Sequence, residues 1–224
     1  MKIVIVEDHE MFREVLRTVC ADELGHEVVG EAADGRVAVQ LAITTLPDLV
    51  LLDLHLPKLD GFEVAEALRQ ATPLVRILAL SSHCDDYTVF RAEKARVQGF
   101  VDKNTSSVMA LKAAITAVGQ GQTYFSDLFL RIKANRHRDP HSFDKLLTER
   151  ERVVLSMVGS ALSDTDIAGR LGIAPKTAEK HRFNILKKFG LPTTVQLMRY
   201  ARDHGFTLAS RLGSGGSASP MPPR

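Results

Sequence analysis

The chain has 224 residues, 45% hydrophobic and 25% charged, with no tryptophan. That balance excludes a wholly disordered or collagen-like chain and fits one large or two small domains, each with its own core. No apolar run approaches the about 20 residues that cross a bilayer. The opening MKIVIVEDHE lacks the long apolar stretch and small-residue cleavage site of a signal peptide, so neither export nor membrane contact is expected, and the location expected is cytoplasmic. Cys20 and Cys84 follow no metal or redox spacing and are expected to be free thiols. The net charge of +2 hides an asymmetry: residues 1–122 hold 12 Lys/Arg against 18 Asp/Glu, net −6, and residues 123–224 hold 17 against 9, net +8. An acidic half joined to a basic half suggests two domains, the second meeting a polyanion.

The first half alternates short apolar runs with helical patterns. Strands are expected at Ile3–Val6, Glu27–Ala32, Leu49–Asp53, Ile77–Ser81 and Phe100–Val101. Helices are expected at about Glu10–Leu24, Gly35–Thr44, Gly61–Ala71, Tyr87–Arg96 and Ser107–Gly119. Runs such as VIV and LVLL are apolar on both faces, as central parallel strands are. The expected fold class is α/β, a five-stranded doubly wound parallel sheet of the flavodoxin-like kind, followed by a C-terminal all-α domain of four helices. Residues 123–145 are expected to be a linker. Their apolar start (Tyr124, Phe125, Leu128, Phe129) suits a short helix packed on the first domain, and the basic run from Arg131 to Pro140 suits a connection between domains.

From Leu146 the pattern is helical. Thr148 and Glu151 make a capping box before Glu149–Ser160, Ser163 caps Asp164–Leu171, Pro175 opens a helix to Phe189, and a last helix spans Thr194–Asp203. The second unit is expected at 146–208, with a Ser-, Gly- and Pro-rich disordered tail at 209–224.

In a doubly wound sheet, ligands bind at the carboxyl ends of the strands where the strand order reverses. Those ends here carry Glu7-Asp8, Asp53, Ser81-Ser82 and Asp102-Lys103. Clustered carboxylates need a cation, and hard oxygen donors suit Mg²⁺. Asp53 is then placed to attack phosphorus as a carboxylate nucleophile, with Lys103 neutralising charge on the transferring oxygens and Ser81 bonding them afterwards.

These pieces, with Leu52-Asp53-Leu54-His55-Leu56-Pro57, Asp60-Gly61 and Phe100-Val-Asp-Lys103, resemble the receiver domain of two-component response regulators over residues 1–120. The resemblance implies Asp53 as phosphoacceptor and Glu7, Asp8, Asp53 and the His55 carbonyl as Mg²⁺ ligands. It also implies Ser81 and Phe100 as a hydroxyl–aromatic switch pair, Lys103 as phosphate partner, and a sensor histidine kinase as donor. Phe100 is expected to turn inward once Asp53 is phosphorylated. Asp102 stands where the resemblance makes the residue apolar. His55 and His83, each two residues beyond a key position, are expected to tune the phosphoryl lifetime, making it pH-dependent. A less favoured alternative has both imidazoles and a carboxylate holding a transition metal.

The segments Leu147–Leu155, Asp166–Ile173 and Lys176–Gly190 are similar to the four-helix DNA-binding domain of LuxR-type regulators. On the second helix of the helix-turn-helix, Ala178, Ile185 and Phe189 form a core stripe, and Lys176, Glu179, Lys180, Phe183 and Lys187 form another. The resemblance puts Glu179, Lys180 and Phe183 at base-facing positions, with Lys176, Thr177, Asn184 and Lys187 on the backbone and His181 wedged against it. The chain thus looks like a NarL/FixJ-type regulator that binds double-stranded promoter DNA, as a homodimer when phosphorylated. It is expected to be no enzyme beyond its own phosphorylation and dephosphorylation. A phosphorylation-independent DNA-binding regulator and an aspartate-nucleophile phosphohydrolase are the alternatives; His55 stands where the latter class has a second Asp.

Overall fold

The computed structural model describes residues 1–57 and 59–207. The tail expected at 209–224 lies outside the described residues. The first half holds β1 (Lys2–Val6), α1 (Glu10–Thr18, continued by a π turn at Val19–Glu23), β2 (Glu27–Ala32), α2 (Gly35–Thr45) and β3 (Leu49–Asp53). It continues through α3 (Gly61–Ala71), β4 (Arg76–Ser81), α4 (Asp86–Lys94), β5 (Gly99–Asp102) and α5 (Val108–Gly119). The strands run parallel in the order β2-β1-β3-β4-β5-β6, so the sheet has a sixth strand beyond the five expected. That strand, β6 (Tyr124–Phe125), comes from the expected linker and pairs with Gly99 and Phe100 of β5. The basic run that follows is not an extended connection: Asp127–Arg138 forms α6, whose Arg136 and Lys133 pair with Glu93 of α4.

Alternation along the strands sorts the core into two layers. Val4, Val6, Val50, Leu52, Ile77, Ala79 and Phe100 face α2, α3 and α4, whereas Ile3, Ile5, Leu49, Leu51, Leu78, Leu80 and Val101 face α1 and α5. β3 is buried at every residue, as a central parallel strand must be. The chain starts in β1, moves outward to β2 and then crosses to β3, so the order reverses between β1 and β3. The crevice between their carboxyl ends is the binding position that this topology creates.

α3 begins hard against the end of β3. A Cβ at Gly61 would lie 2.4 Å from the Asp53 carbonyl oxygen and 2.5 Å from the Leu54 Cα, so only glycine allows this approach. Asp60 fixes the helix start with a capping box that Glu63 completes.

The second half consists of α7 (Phe143–Leu146), α8 (Glu149–Gly159), α9 (Asp164–Leu171), α10 (Pro175–Phe189) and α11 (Thr194–Asp203). Thr148 and Ser163 supply capping boxes, and Gly172 and Gly190 end α9 and α10 with left-handed φ of 62° and 64°. Val154, Leu155, Ile167, Ala178, Ile185, Leu197, Ala201 and Phe206 form a separate core. Among the described residues, no helix is long and apolar enough to cross a membrane.

Candidate functional site: an acidic crevice and an open recognition helix

β1 and β3 deliver Glu7 and Asp53 to the crevice because both strands end there, and Asp8 follows at the rim. One carboxylate oxygen from each of Glu7, Asp8 and Asp53 lies within 4.8 Å of the others, the one such cluster of possible metal ligands among the described residues. Glu7 and Asp53 are almost fully buried and Asp8 is exposed. The Lys103 Nζ lies 2.6 Å from Glu7 Oε2 and 2.9 Å from Asp53 Oδ2, bridging them from the end of β5. Even so, burial and then the Asp53 charge push the Glu7 carboxyl up to about 7. The other Asp53 oxygen accepts the His55 N–H at 2.9 Å. These donors are hard, anionic and convergent, and they fit a small divalent cation.

Ser81 ends β4 beside this cluster. Its hydroxyl donates to the His83 carbonyl at 2.8 Å and accepts the His83 N–H at 3.0 Å, while the His55 Nδ1 lies 3.4 Å away. The His55 and His83 rings sit 4.6 Å apart, and burial, then the His83 charge, hold the His55 imidazole below its usual pKa. No third ligand joins the two imidazoles in a metal cluster among the described residues.

Phe100, the aromatic expected in the switch pair, lies on β5. It is already fully buried, with its ring 4.9 Å from that of Phe129, which itself stacks on Phe125 at 4.7 Å. α6 covers its ring through Phe129.

The C-terminal half docks on α4. The Tyr87 ring stacks on Phe206 at 4.1 Å, and the Phe90 ring meets Phe143 edge-on at 5.3 Å. The His204 carbonyl accepts the Tyr87 N–H at 3.1 Å, and the His204 Nδ1 lies 2.5 Å from Asp86 Oδ2. Buried Arg136 pairs with Glu93 and donates to the Asp86 carbonyl at 3.2 Å. A cavity of about 140 Å³ remains between the two halves, its lining including His55, His83, Asp85, Gly205 and Thr207. These contacts depend on where α4 and the C-terminal helices lie relative to one another, which no local pattern fixes.

Docking leaves the face of α10 open. Lys176, Thr177, Glu179, Lys180 and Lys187 are exposed and Phe183 is 65% exposed, with His181 and Asn184 half-buried beside them. Ala178 and Ile185 are buried on the opposite stripe, which leaves a bulky aromatic and three lysines facing solvent. Arg182 does not join them: it pairs with Asp164 of α9 and donates to the Thr194 hydroxyl at 2.6 Å.

The parallel sheet with its acidic crevice and the helix-turn-helix beside it define a signalling receiver coupled to a DNA-binding domain. The response regulator receiver domain family matches residues 3–116, and the bacterial regulatory proteins of the luxR family match residues 145–201. The chain belongs to the two-component response regulators with a LuxR-type C-terminal domain. It is 32% identical over 217 residues to the transcriptional regulatory protein MctR of Rhizobium johnstonii, covering 95% of this chain and 97% of that one. It is also 32% identical over 204 residues to the response regulator protein VraR of Staphylococcus aureus, covering 91% and 97%. A LuxR-family response regulator from Aurantimonas sp. SI85-9A1 is 33% identical over 62% of this chain and 98% of that chain, with a TM-score of 0.58. The RcsB response regulator in complex with DNA shares the fold at 20% identity and a TM-score of 0.62, covering 91% and 98%.

Proposed function

We propose that Asp53 accepts a phosphoryl group from a sensor histidine kinase and that the modified protein binds promoter DNA as a homodimer. The observation that carries this is Asp53 itself, 4% exposed at the switch-point crevice and tied to Glu7 through Lys103. An Asp53 oxygen forms the new bond to phosphorus as the donor's P–N bond breaks, and the leaving imidazole keeps the electron pair and takes a proton. Lys103 stands 2.9 Å from that carboxylate and offsets charge that builds on the equatorial oxygens. Glu7, Asp8, Asp53 and the His55 carbonyl would hold Mg²⁺, which supplies charge neutralisation to the transferring group. His55 and His83 flank the position that the phosphoryl group takes and set how readily water reaches it.

Once the phosphoryl group is in place, the Ser81 hydroxyl is the nearest donor on β4, and bonding it means leaving the His83 carbonyl. That carbonyl belongs to the loop leading into α4, on which the C-terminal domain is docked. Movement of Ser81 therefore loosens the docking of Tyr87 and Asp86, and two C-terminal domains become free to pair through α11 on adjacent half-sites. On the DNA, Glu179, Lys180 and Phe183 face base edges, Lys176, Thr177, Asn184 and Lys187 face the backbone, and His181 packs between helix and backbone. The domains divide as receiver 1–122, connecting segment 123–145 and DNA-binding unit 146–208. The protein works in the cytoplasm, where kinase and DNA are both within reach. No catalytic turnover of a separate substrate follows from this site.

The test is intact mass after incubation with Mg²⁺ and a small phosphodonor, for wild type and Asp53→Asn, with oligomeric state and DNA binding followed on the same samples. A single phosphoryl adduct on wild type alone, with tighter self-association or DNA binding, is the expected result. DNA binding without any adduct would refute the phosphoacceptor role.

A further inference from the structure

Asp102 is a carboxylate in a place that chemistry makes expensive. It is the last residue of β5, 3% exposed, and pairs in register with Ser81 of β4. A buried carboxylate is costly unless it is hydrogen-bonded, so its partners show what it is for. Oδ1 accepts the Asn104 N–H at 2.9 Å and Oδ2 accepts the Thr105 hydroxyl at 2.9 Å. Its main-chain carbonyl accepts the Ser106 N–H, also at 2.9 Å. Every one of these partners lies in the turn between β5 and α5, the turn that carries Lys103. A carboxylate that accepts the N–H two residues on closes that turn locally, without help from the rest of the fold.

The turn so closed is then fastened to β4. The Lys103 N–H donates to the Ser81 carbonyl at 2.8 Å, and the Asn104 side chain donates to the Ser82 carbonyl at 2.5 Å. The outcome is a fixed starting point for the Lys103 side chain, whose ammonium group reaches Glu7 and Asp53 across the crevice. A role in stability alone is met by an apolar side chain at the end of a buried strand, and an apolar residue is what the resemblance implies there. What the carboxylate adds is the geometry of the turn.

We propose that Asp102 is a positioning residue for phosphoryl transfer, acting through Lys103 by holding the β5–α5 turn that aims its ammonium group at Asp53. This rests on the reading of Asp53 as phosphoacceptor. A shift of about 1 Å in a charge-stabilising group lowers a rate by up to about 100-fold. Asp102→Val is therefore expected to slow adduct formation on Asp53 by about 10-fold or more at a fixed concentration of small phosphodonor and Mg²⁺. Asp102→Asn restores most of the rate, because its amide oxygen still takes the Asn104 N–H and its amide nitrogen donates to Thr105 Oγ1. Thr105→Val, which removes one of the two side-chain bonds without introducing an apolar group at the strand end, gives an intermediate rate.

The decisive experiment is a double-mutant cycle read by intact mass against time, on wild type, Asp102→Val, Lys103→Ala and the double variant. The expected result is that Asp102→Val slows the wild type but changes nothing in the Lys103→Ala background. A merely structural role would move melting temperature in both backgrounds and leave the two losses multiplicative. Multiplicative losses, a wild-type rate in Asp102→Val, or an Asp102→Asn rate as slow as that of Asp102→Val would each overturn the proposal. Absence of any adduct on the wild type would overturn the phosphoacceptor reading instead, and the proposal with it.

Discussion

Replacing Tyr87 with alanine tests whether the α4 docking surface holds the two halves together. Tyr87 belongs to the receiver, yet its ring packs mainly on the C-terminal half: Phe206 at 4.1 Å, nearly parallel, and Phe143 at 6.1 Å, edge-on. Each such aromatic pair contributes about 0.5–1.5 kcal/mol beyond simple burial. With the apolar area of the ring added, truncation is expected to cost the docking equilibrium about 2–4 kcal/mol. That is a shift of about 30- to 900-fold toward undocked molecules. Neither core should suffer, since Tyr87 lies at the edge of the C-terminal core, outside its fully buried set. The assay is amide hydrogen exchange, followed at the start of α4 and at residues 204–207, with small-angle scattering on the same samples. Residue 87 donates its N–H to the His204 carbonyl at 3.1 Å, and that protection should fall with the dimensions of the molecule rising. Unchanged exchange and unchanged dimensions in Tyr87→Ala would refute the reasoning.

Three further outcomes are expected. Gly61→Ala should destabilise the receiver by about 2–3 kcal/mol in denaturant titrations, because the atoms its Cβ would strike are backbone and cannot step aside. Glu151→Gln should cost the C-terminal domain about 1–2 kcal/mol at neutral pH. Burial alone would raise the Glu151 carboxyl, but bonds from Lys188 and Thr148 outweigh it and hold the pKa below the usual 4.5. The ionised form is therefore the stabilising one, so the gap between variant and wild type should persist above pH 4.5 and close as pH falls through the lowered value, as read by thermal melts. Lys176→Ala and Lys187→Ala should each weaken DNA binding across all sequences and reduce the slope of log affinity against log salt by about 1, as measured by fluorescence anisotropy. An unchanged slope would remove that lysine from the phosphate-contacting face.

The strand ends were legible because an apolar run that stops in an acid or a hydroxyl marks both the strand and what it delivers. Glu7, Asp53, Ser81 and Lys103 meet in the structure for that reason. The helical half was legible through its caps, Thr148 and Ser163, and through Pro175 at the first position of α10. β6 was not, since a strand of two residues has no period. The start of α6 was legible as a short helix through Leu128 and Phe129, but its extent to Arg138 was not, because its charged residues find their partners on α4, in Glu93 and the Asp86 carbonyl. Asp102 carried a signal that can be read locally, an acid followed by Asn104 and Thr105, which is the composition of a side-chain-closed turn. The covering of Phe100 by Phe129 depends on where α6 lies, and no local pattern fixes that.

The contact between His204 and the start of α4 has a thermodynamic side. Any partner of the C-terminal domain that binds the undocked form more tightly than the docked one draws on the same equilibrium that the proposed movement of Ser81 would bias. Linkage is reciprocal, so whatever factor phosphorylation lends to such a partner, the partner returns to phosphorylation. A promoter fragment that selects the undocked form is then an effector of the receiver as well as its target.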